Sequence, residues 1–144
     1  IAYGFVSDKF FDARRPPANL IFAVVEVAAL VLIFYGPTNE LIQMLAFALY
    51  GATLSGLMAS LGGLFAVDIA PKGATGAAMG FVGIFSYLGA AIQENVSASL
   101  ISNNTIITDG NRIYDFDSAI MFWIGSSIVS LLLAASLWNT KVVK

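Results

Sequence analysis

Four long apolar blocks, Ala18–Tyr35, Leu41–Val67, Ala74–Ile101 and Ser118–Trp138, constrain this chain more than any other feature of its sequence. Each reaches the roughly 18–20 residues that an α-helix needs to cross a hydrocarbon layer. A segment in lipid has no water to satisfy its backbone, so it must hydrogen-bond internally. Helices are therefore expected; a barrel would need short segments of alternating polarity. The chain is 58% hydrophobic and only 11% charged, against about a quarter charged in a soluble domain. The expected fold is all-α, a transmembrane helical bundle over residues 1–144 whose first partner is the lipid bilayer.

Residue 1 is Ile rather than Met, and Ile1–Val6 reads as the end of a helix. The sequence is expected to be the carboxy-terminal part of a longer protein. The chain has no cysteine and no histidine, which removes thiolate chemistry, the commonest metal ligand and the commonest general base. No nucleophile, base and orienting group lie in plausible sequence proximity. No enzymatic activity, metal or cofactor is expected, and nothing points to nucleic acid.

Positive charge sets the orientation. Lys9, Arg14, Arg15, Lys72, Lys141 and Lys144 fall on connectors that share one side of a four-span topology, whereas Arg112 alone falls on the other. The Lys/Arg excess marks the cytoplasmic side. Both ends and the Ala66–Gly73 loop are expected inside, with the Gly36–Glu40 turn and the Ser102–Asp117 loop outside. Gly36-Pro37 predicts a tight turn, and Pro16-Pro17 and Pro71 suit the approach to a helix start. Asn103-Asn104-Thr105 matches a glycosylation acceptor, a short pattern that chance supplies as readily as use.

Polar groups inside spans mark where chemistry can occur. Gly76, Gly80, Gly83, Tyr87, Ala90, Glu94 and Ser97 alternate by three and four, and so share one helical face. The glycines fit close helix packing; Tyr87 and Glu94 face either a neighbouring helix or a cavity. Gln43, Ala46, Tyr50, Thr53, Leu57 and Ser60 form a similar stripe in the second span, where Gln43 and Tyr50 could donate to a polar solute or bind helices together. Glu26 is expected to be structural, because no other polar residue of its span shares its depth. Ser126, Ser127 and Ser130 are expected in packing, and Tyr35, Trp123 and Trp138 as interfacial anchors.

Two stretches carry a resemblance. Gly4-Phe5-Val6-Ser7-Asp8-Lys9 followed by Arg14-Arg15 resembles the Gly-x-x-x-Asp-Arg/Lys signature of the major facilitator superfamily, found between the second and third helices of each six-helix half. Val67-Asp68-Ile69-Ala70-Pro71-Lys72-Gly73, continuing to Gly89, resembles the start of helix 11 in its organophosphate:phosphate antiporters. The resemblance implies helices 9 to 12 of a twelve-helix carrier, preceded by the tail of helix 8. It implies exchange of a hexose phosphate or glycerol-3-phosphate for inorganic phosphate by alternating access, in a bacterial inner membrane.

In that family, arginines on the first helix of each half hold the phosphate, so the main cations and the amino-terminal helices must come from outside these residues. Gln43, Tyr50, Tyr87, Gln93 and Glu94 become secondary cavity candidates, and Gly4, Asp8, Arg14 and Arg15 a gating loop motif. Some hexose-phosphate carriers place an oppositely charged pair in helix 11 where Ala90 and Gln93 stand here, which leaves the substrate open. Two alternatives use the same fold: a membrane sensor of external sugar phosphate, and a proton-coupled symporter with Glu26 or Glu94 as its proton site.

Overall fold

A computed structural model describes residues 2–11, 15–71, 73–108 and 111–138. Arg14, Lys72, Asp109, Lys141 and Lys144 lie outside the described residues. The chain forms α1 (Ala2–Phe11), α2 (Arg15–Tyr35), α3 (Glu40–Ala59), a π-helical turn (Ser60–Leu64), α4 (Phe65–Ile69), α5 (Thr75–Asn103), a hairpin of β1 (Ile106–Thr108) and β2 (Asn111–Ile113), and α6 (Asp117–Ser136). Helices Arg15–Tyr35, Glu40–Asp68, Thr75–Asn103 and Asp117–Ser136 are long and apolar enough to cross a membrane.

Local chemistry explains the ends. Pro16 and Pro17 occupy the first turn of α2, where a missing N–H leaves no bond unmade. At the far end the Gly36 N–H reaches the Leu32 carbonyl at 3.0 Å, and a Cβ on Gly36 would collide with that same oxygen. Asn39 then caps α3: its backbone is extended and its Oδ1 accepts from the N–H groups of Leu41 and Ile42 at 3.0 and 3.3 Å. Ala70, before Pro71, is extended and ends α4.

The second span is not one regular helix. Phe65 N–H bonds the Ser60 carbonyl, five residues back, through a stretch containing Gly62 and Gly63. A π-turn holds one residue more than the α-helical turn it replaces, which rotates the remainder of the helix by about 100°. The extra residue lets Ser60 and Asp68, on either side of the turn, both face α1 and α2, a feature the apolar pattern does not reveal.

The packing is inside-out relative to a soluble bundle. Ala18, Ala23, Ala29, Ala46, Ala66 and Ala119 are buried, whereas Phe81, Ile84, Leu132 and Leu133 are mostly exposed. Hydrocarbon outside the bundle makes turning a Leu inward unrewarding, so helices associate where small residues allow close approach. α2 packs most extensively against α3 and α6. Gly56 of α3 sits where an added Cβ would lie 2.7 Å from the Phe22 ring and 3.2 Å from Tyr3 Cβ, and Tyr3 and Phe22 meet edge to face at 5.1 Å.

The third expected span behaves differently. Ser97 is the one buried residue of α5, and nothing among the described residues lies within 4 Å of a Cβ built on Gly76, Gly80 or Gly83. Its 29 residues reach about 43 Å, beyond a hydrocarbon layer of roughly 30 Å. The polar loop after it is not wholly irregular, since β1 and β2 pair antiparallel with Ile107 opposite Arg112. Asn104 Nδ2 ties the end of α5 to α6 through Ser118 Oγ at 3.1 Å.

Gly56→Ala is expected to destabilise the protein by about 1–3 kcal/mol, the usual cost of overpacking, because Phe22 and Tyr3 have to move. Gly51→Ala, on the same helix with open space around it, is expected to be neutral or slightly stabilising. Thermal unfolding of the two variants in detergent measures the difference; equal midpoints would refute the packing described.

Candidate functional site

The two stretches that carry the resemblance meet at one guanidinium. Arg15 opens α2, Ser7 and Asp8 lie near the end of α1, and Asp68 lies in α4 beyond the π-turn. Arg15 Nε donates to Asp68 Oδ2 at 3.0 Å, and its Nη1 donates to Ser7 Oγ at 3.2 Å and stands 3.5 Å from Asp8 Oδ1. A planar fork can serve three acceptors from two directions, which a lysine ammonium does less well. The Arg15 side chain is only 15% exposed and Asp68 is 32% exposed, but Asp8 is 63% exposed. The Asp68 contact is therefore the stronger one, and the Asp8 pair is held loosely enough to break and reform.

A second polar cluster lies just behind it. Tyr3 Oη donates to Asn19 Oδ1 at 2.6 Å, so its single hydrogen is used and Ser60 Oγ, 2.7 Å away, donates to the tyrosine oxygen. Ser60 is fully buried and Asn19 nearly so. These bonds tie α1, α2 and the start of the π-turn together, while Arg15 ties α1 and α2 to the segment beyond the turn. Both clusters sit at the same end of the bundle, and no buried polar side-chain atom among the described residues lacks a partner.

A cavity of about 440 Å³ lies deeper, between α2, α3, α5 and α6. Tyr50, Gln93, Trp123, Ser126 and Ser127 give it polar groups, and Leu30, Phe34 and Phe47 give it apolar walls. Ser97 organises one wall by accepting from Trp123 Nε1 at 2.8 Å and from Gln93 Nε2 at 3.3 Å. Trp123, expected as an interfacial anchor, is instead a part-buried hydrogen-bond donor whose ring lies 5.9 Å from that of Phe34, tilted by 40°. The lining offers hydroxyl and amide groups to a polar solute but no Lys or Arg. It can contact the uncharged part of a ligand and cannot by itself balance a phosphate.

Of the candidates read from the sequence, Tyr50 and Gln93 share this cavity. Gln43 does not line it: its Nε2 donates to the carbonyls of Ile33 and Pro37 at 3.3 and 3.4 Å, fastening the turn between α2 and α3. Tyr87, 81% exposed, and Glu94 lie on the open face of α5. Ala46, Thr53 and Ser60 of the second-span stripe are buried, and Thr53 Oγ1 bonds its own helix at Leu49 and Tyr50. Of the loop motif, Asp8 pairs with Arg15, Gly4 lies in α1 with open space where a Cβ would be, and Arg14 lies outside the described residues.

Sequence order concealed two participants, Asp68 and the surroundings of Glu26. Asp68 belonged to a quoted motif, yet only folding sets it against Arg15. Glu26 lines a separate cavity of about 330 Å³ with Asn19 of its own helix and with Ser127 and Ser130 of the last span, so the polar lining comes from two helices.

The chain is 31% identical over 141 residues to a glycerol-3-phosphate transporter of Bacillus subtilis, which covers 97% of this chain and 30% of that protein. It is 28% identical over 150 residues to a glycerol-3-phosphate transporter of Haemophilus influenzae, covering 90% of this chain and 28% of that one. It is also 38% identical over 92 residues to the membrane sensor protein UhpC of Escherichia coli, with 62% of this chain and 20% of that protein covered. No family model matches, and no solved structure matches. The chain thus spans about 30% of the length of the first of these curated relatives. Its four apolar helices and these relatives make it an integral membrane protein. Matched along nearly all of its length to such carriers, and with its two signature stretches joined at Arg15, the chain belongs to the organophosphate:phosphate antiporter family of the major facilitator superfamily.

Proposed function

We propose that these residues are helices 9 to 12, with the end of helix 8, of a secondary carrier that exchanges glycerol-3-phosphate or a hexose phosphate for inorganic phosphate. The observation that carries this reading is the Arg15 knot, because alternating access needs contacts at one end of the bundle that hold it shut and can be released. A half-exposed set of ion pairs meets that need: each is worth little enough to break within a transport cycle. By the positive-inside rule the knot lies on the cytoplasmic side of a bacterial inner membrane, together with both ends of the chain.

In this arrangement Tyr50 and Gln93 meet the uncharged part of the metabolite, and arginines from the rest of the protein grip its phosphate. The exposed stripe of α5, with Tyr87 and Glu94, faces the helices that the remaining length supplies. The apolar surface left over faces lipid. A second reading, a sensor of external sugar phosphate on the same fold, is favoured by the higher identity to UhpC over its shorter match. A third reading, proton-coupled symport with Glu26 or Glu94 as the proton site, rests on those two carboxylates alone, and the relatives named above do not point to it.

Full-length protein in vesicles loaded with inorganic phosphate is expected to take up labelled glycerol-3-phosphate or hexose phosphate, and to stop when internal phosphate is omitted. Binding without uptake would favour the sensor; uptake driven by a proton gradient alone would sink phosphate exchange.

Asp8→Asn is expected to slow exchange by about tenfold, equivalent to roughly 1.4 kcal/mol of barrier, with membrane insertion unchanged. Arg15→Lys should not restore the wild-type rate, because one ammonium cannot replace the fork. Normal turnover in both variants would remove the gating role.

Single cysteines at Gly73 and Asn111 are expected to react with a membrane-impermeant reagent from opposite sides of the membrane. Labelling from the same side would overturn the topology.

A further inference from the structure

A third cavity, of about 430 Å³, lies at the end of the bundle opposite Arg15, where the hairpin folds back over the last turns of α5. Its size falls within the roughly 300–1,000 Å³ usual for small-molecule sites. Ser102, Thr105, Ile107, Arg112 and Tyr114 line it together with Ala98 and Ile101. The α5 members recur at steps of three and four, so one helical face forms the floor. The strand register makes Ile107 and Arg112 direct cross-strand neighbours, which places both side chains on one face of the hairpin.

The lining chemistry is that of an oxyanion site. Thr105 Oγ1 donates to the Ile101 carbonyl at 2.7 Å, leaving Arg112, Ser102 and Tyr114 as donors toward the cavity. A guanidinium beside two hydroxyls suits the tetrahedral oxygens of a phosphate group. The nearby carboxylates do not spoil it: Asp115 and Asp117 are absent from the lining, and Asp115 Oδ1 accepts the N–H of Asp117 at the start of α6. Arg112 is also the one cation of this sequence that the charge pattern assigns to the outer side. The floor of the cavity lies on the helical face that leads, four residues below Ala98, to Glu94, one of the α5 residues left open for the rest of the protein.

We propose that the hairpin and the outer end of α5 form a docking site for a phosphate group, in which Arg112, Ser102 and Tyr114 receive the anionic head of an arriving phosphorylated metabolite. This deepens the function proposed above and rests on it. The site is open to water, so it raises the local concentration of the anion and the rate of encounter without acting on the translocation step. Its contribution is screened by salt.

Uptake of labelled glycerol-3-phosphate by the full-length protein in vesicles provides one test. Arg112→Gln is expected to raise KM about three- to fivefold at low ionic strength, the effect of one solvent-exposed ion pair, with kcat unchanged. The difference should vanish at high salt, and Arg112→Lys should recover part of it. An unchanged KM, or a loss confined to kcat, overturns the proposal.

A second measurement does not require transport. A cysteine at Asn111, in full-length protein with its other cysteines replaced, is exposed to a water-soluble maleimide with and without inorganic phosphate. Phosphate is expected to slow labelling, and Arg112→Gln to abolish that protection. Protection without transport would refute the exchange function and keep the site, whereas transport with no protection and no KM effect would refute the site alone. Protection that needs no added phosphate in phospholipid vesicles, and disappears in galactolipid vesicles, would assign the same chemistry to a lipid headgroup and overturn the metabolite as its ligand.

Discussion

Hydrocarbon on the outside of the bundle governs how the inside is built. A leucine gains little by leaving lipid for a protein interior, so the tight contacts go to residues that let backbones approach and to polar groups that need partners. The buried set is accordingly mostly small, chiefly Ala with Ser, Thr and Gly, and Leu30 is the one buried leucine among the described residues; Phe22 and Tyr3 fill the space opposite Gly56. The large apolar side chains spread over the surface serve as the interface with the solvent of this protein.

Polar contacts then do what apolar burial does elsewhere, and they gather where the helices start and stop. Tyr3, Asn19 and Ser60 join three segments by two short bonds in a buried place, which gives a fixed joint. Arg15 joins the same segments to Asp68 and Asp8 with one face toward solvent, which gives a releasable joint. The π-turn between Ser60 and Asp68 relates the two, since its extra residue sets the angle at which one helix serves both. A fixed joint beside a releasable one is what a bundle needs if its end is to open without losing its register.

The cavities divide the chemistry in a similar way. The one lined by Tyr50, Gln93 and Trp123 has hydrogen-bonding groups and no cation. The one at the hairpin has a cation and hydroxyls but stands in water. Under the proposed function, selectivity for an organic phosphate is shared between the two places, the hairpin meeting the anion and the deeper cavity the carbon skeleton.

The sequence by itself determined the four helices, the turn at Gly36-Pro37 and the family. These come from the length of apolar runs, from backbone chemistry at Pro and Gly, and from residues adjacent in the chain. It also held an unused sign of the hairpin: Asp109-Gly110, preceded by Ile106-Ile107-Thr108, is a strong two-residue turn signal. What only the tertiary structure decided was which polar groups meet. Gln43 became a turn fastener, Trp123 a part-buried donor, Glu26 a neighbour of serines from another helix, and Asp68 the partner of Arg15, 53 residues away in sequence. Helical periodicity says which residues share a face, but in lipid no hydrophobic gradient says where that face turns. That choice belongs to the fit of small residues between helices and to the few polar groups that must find one another.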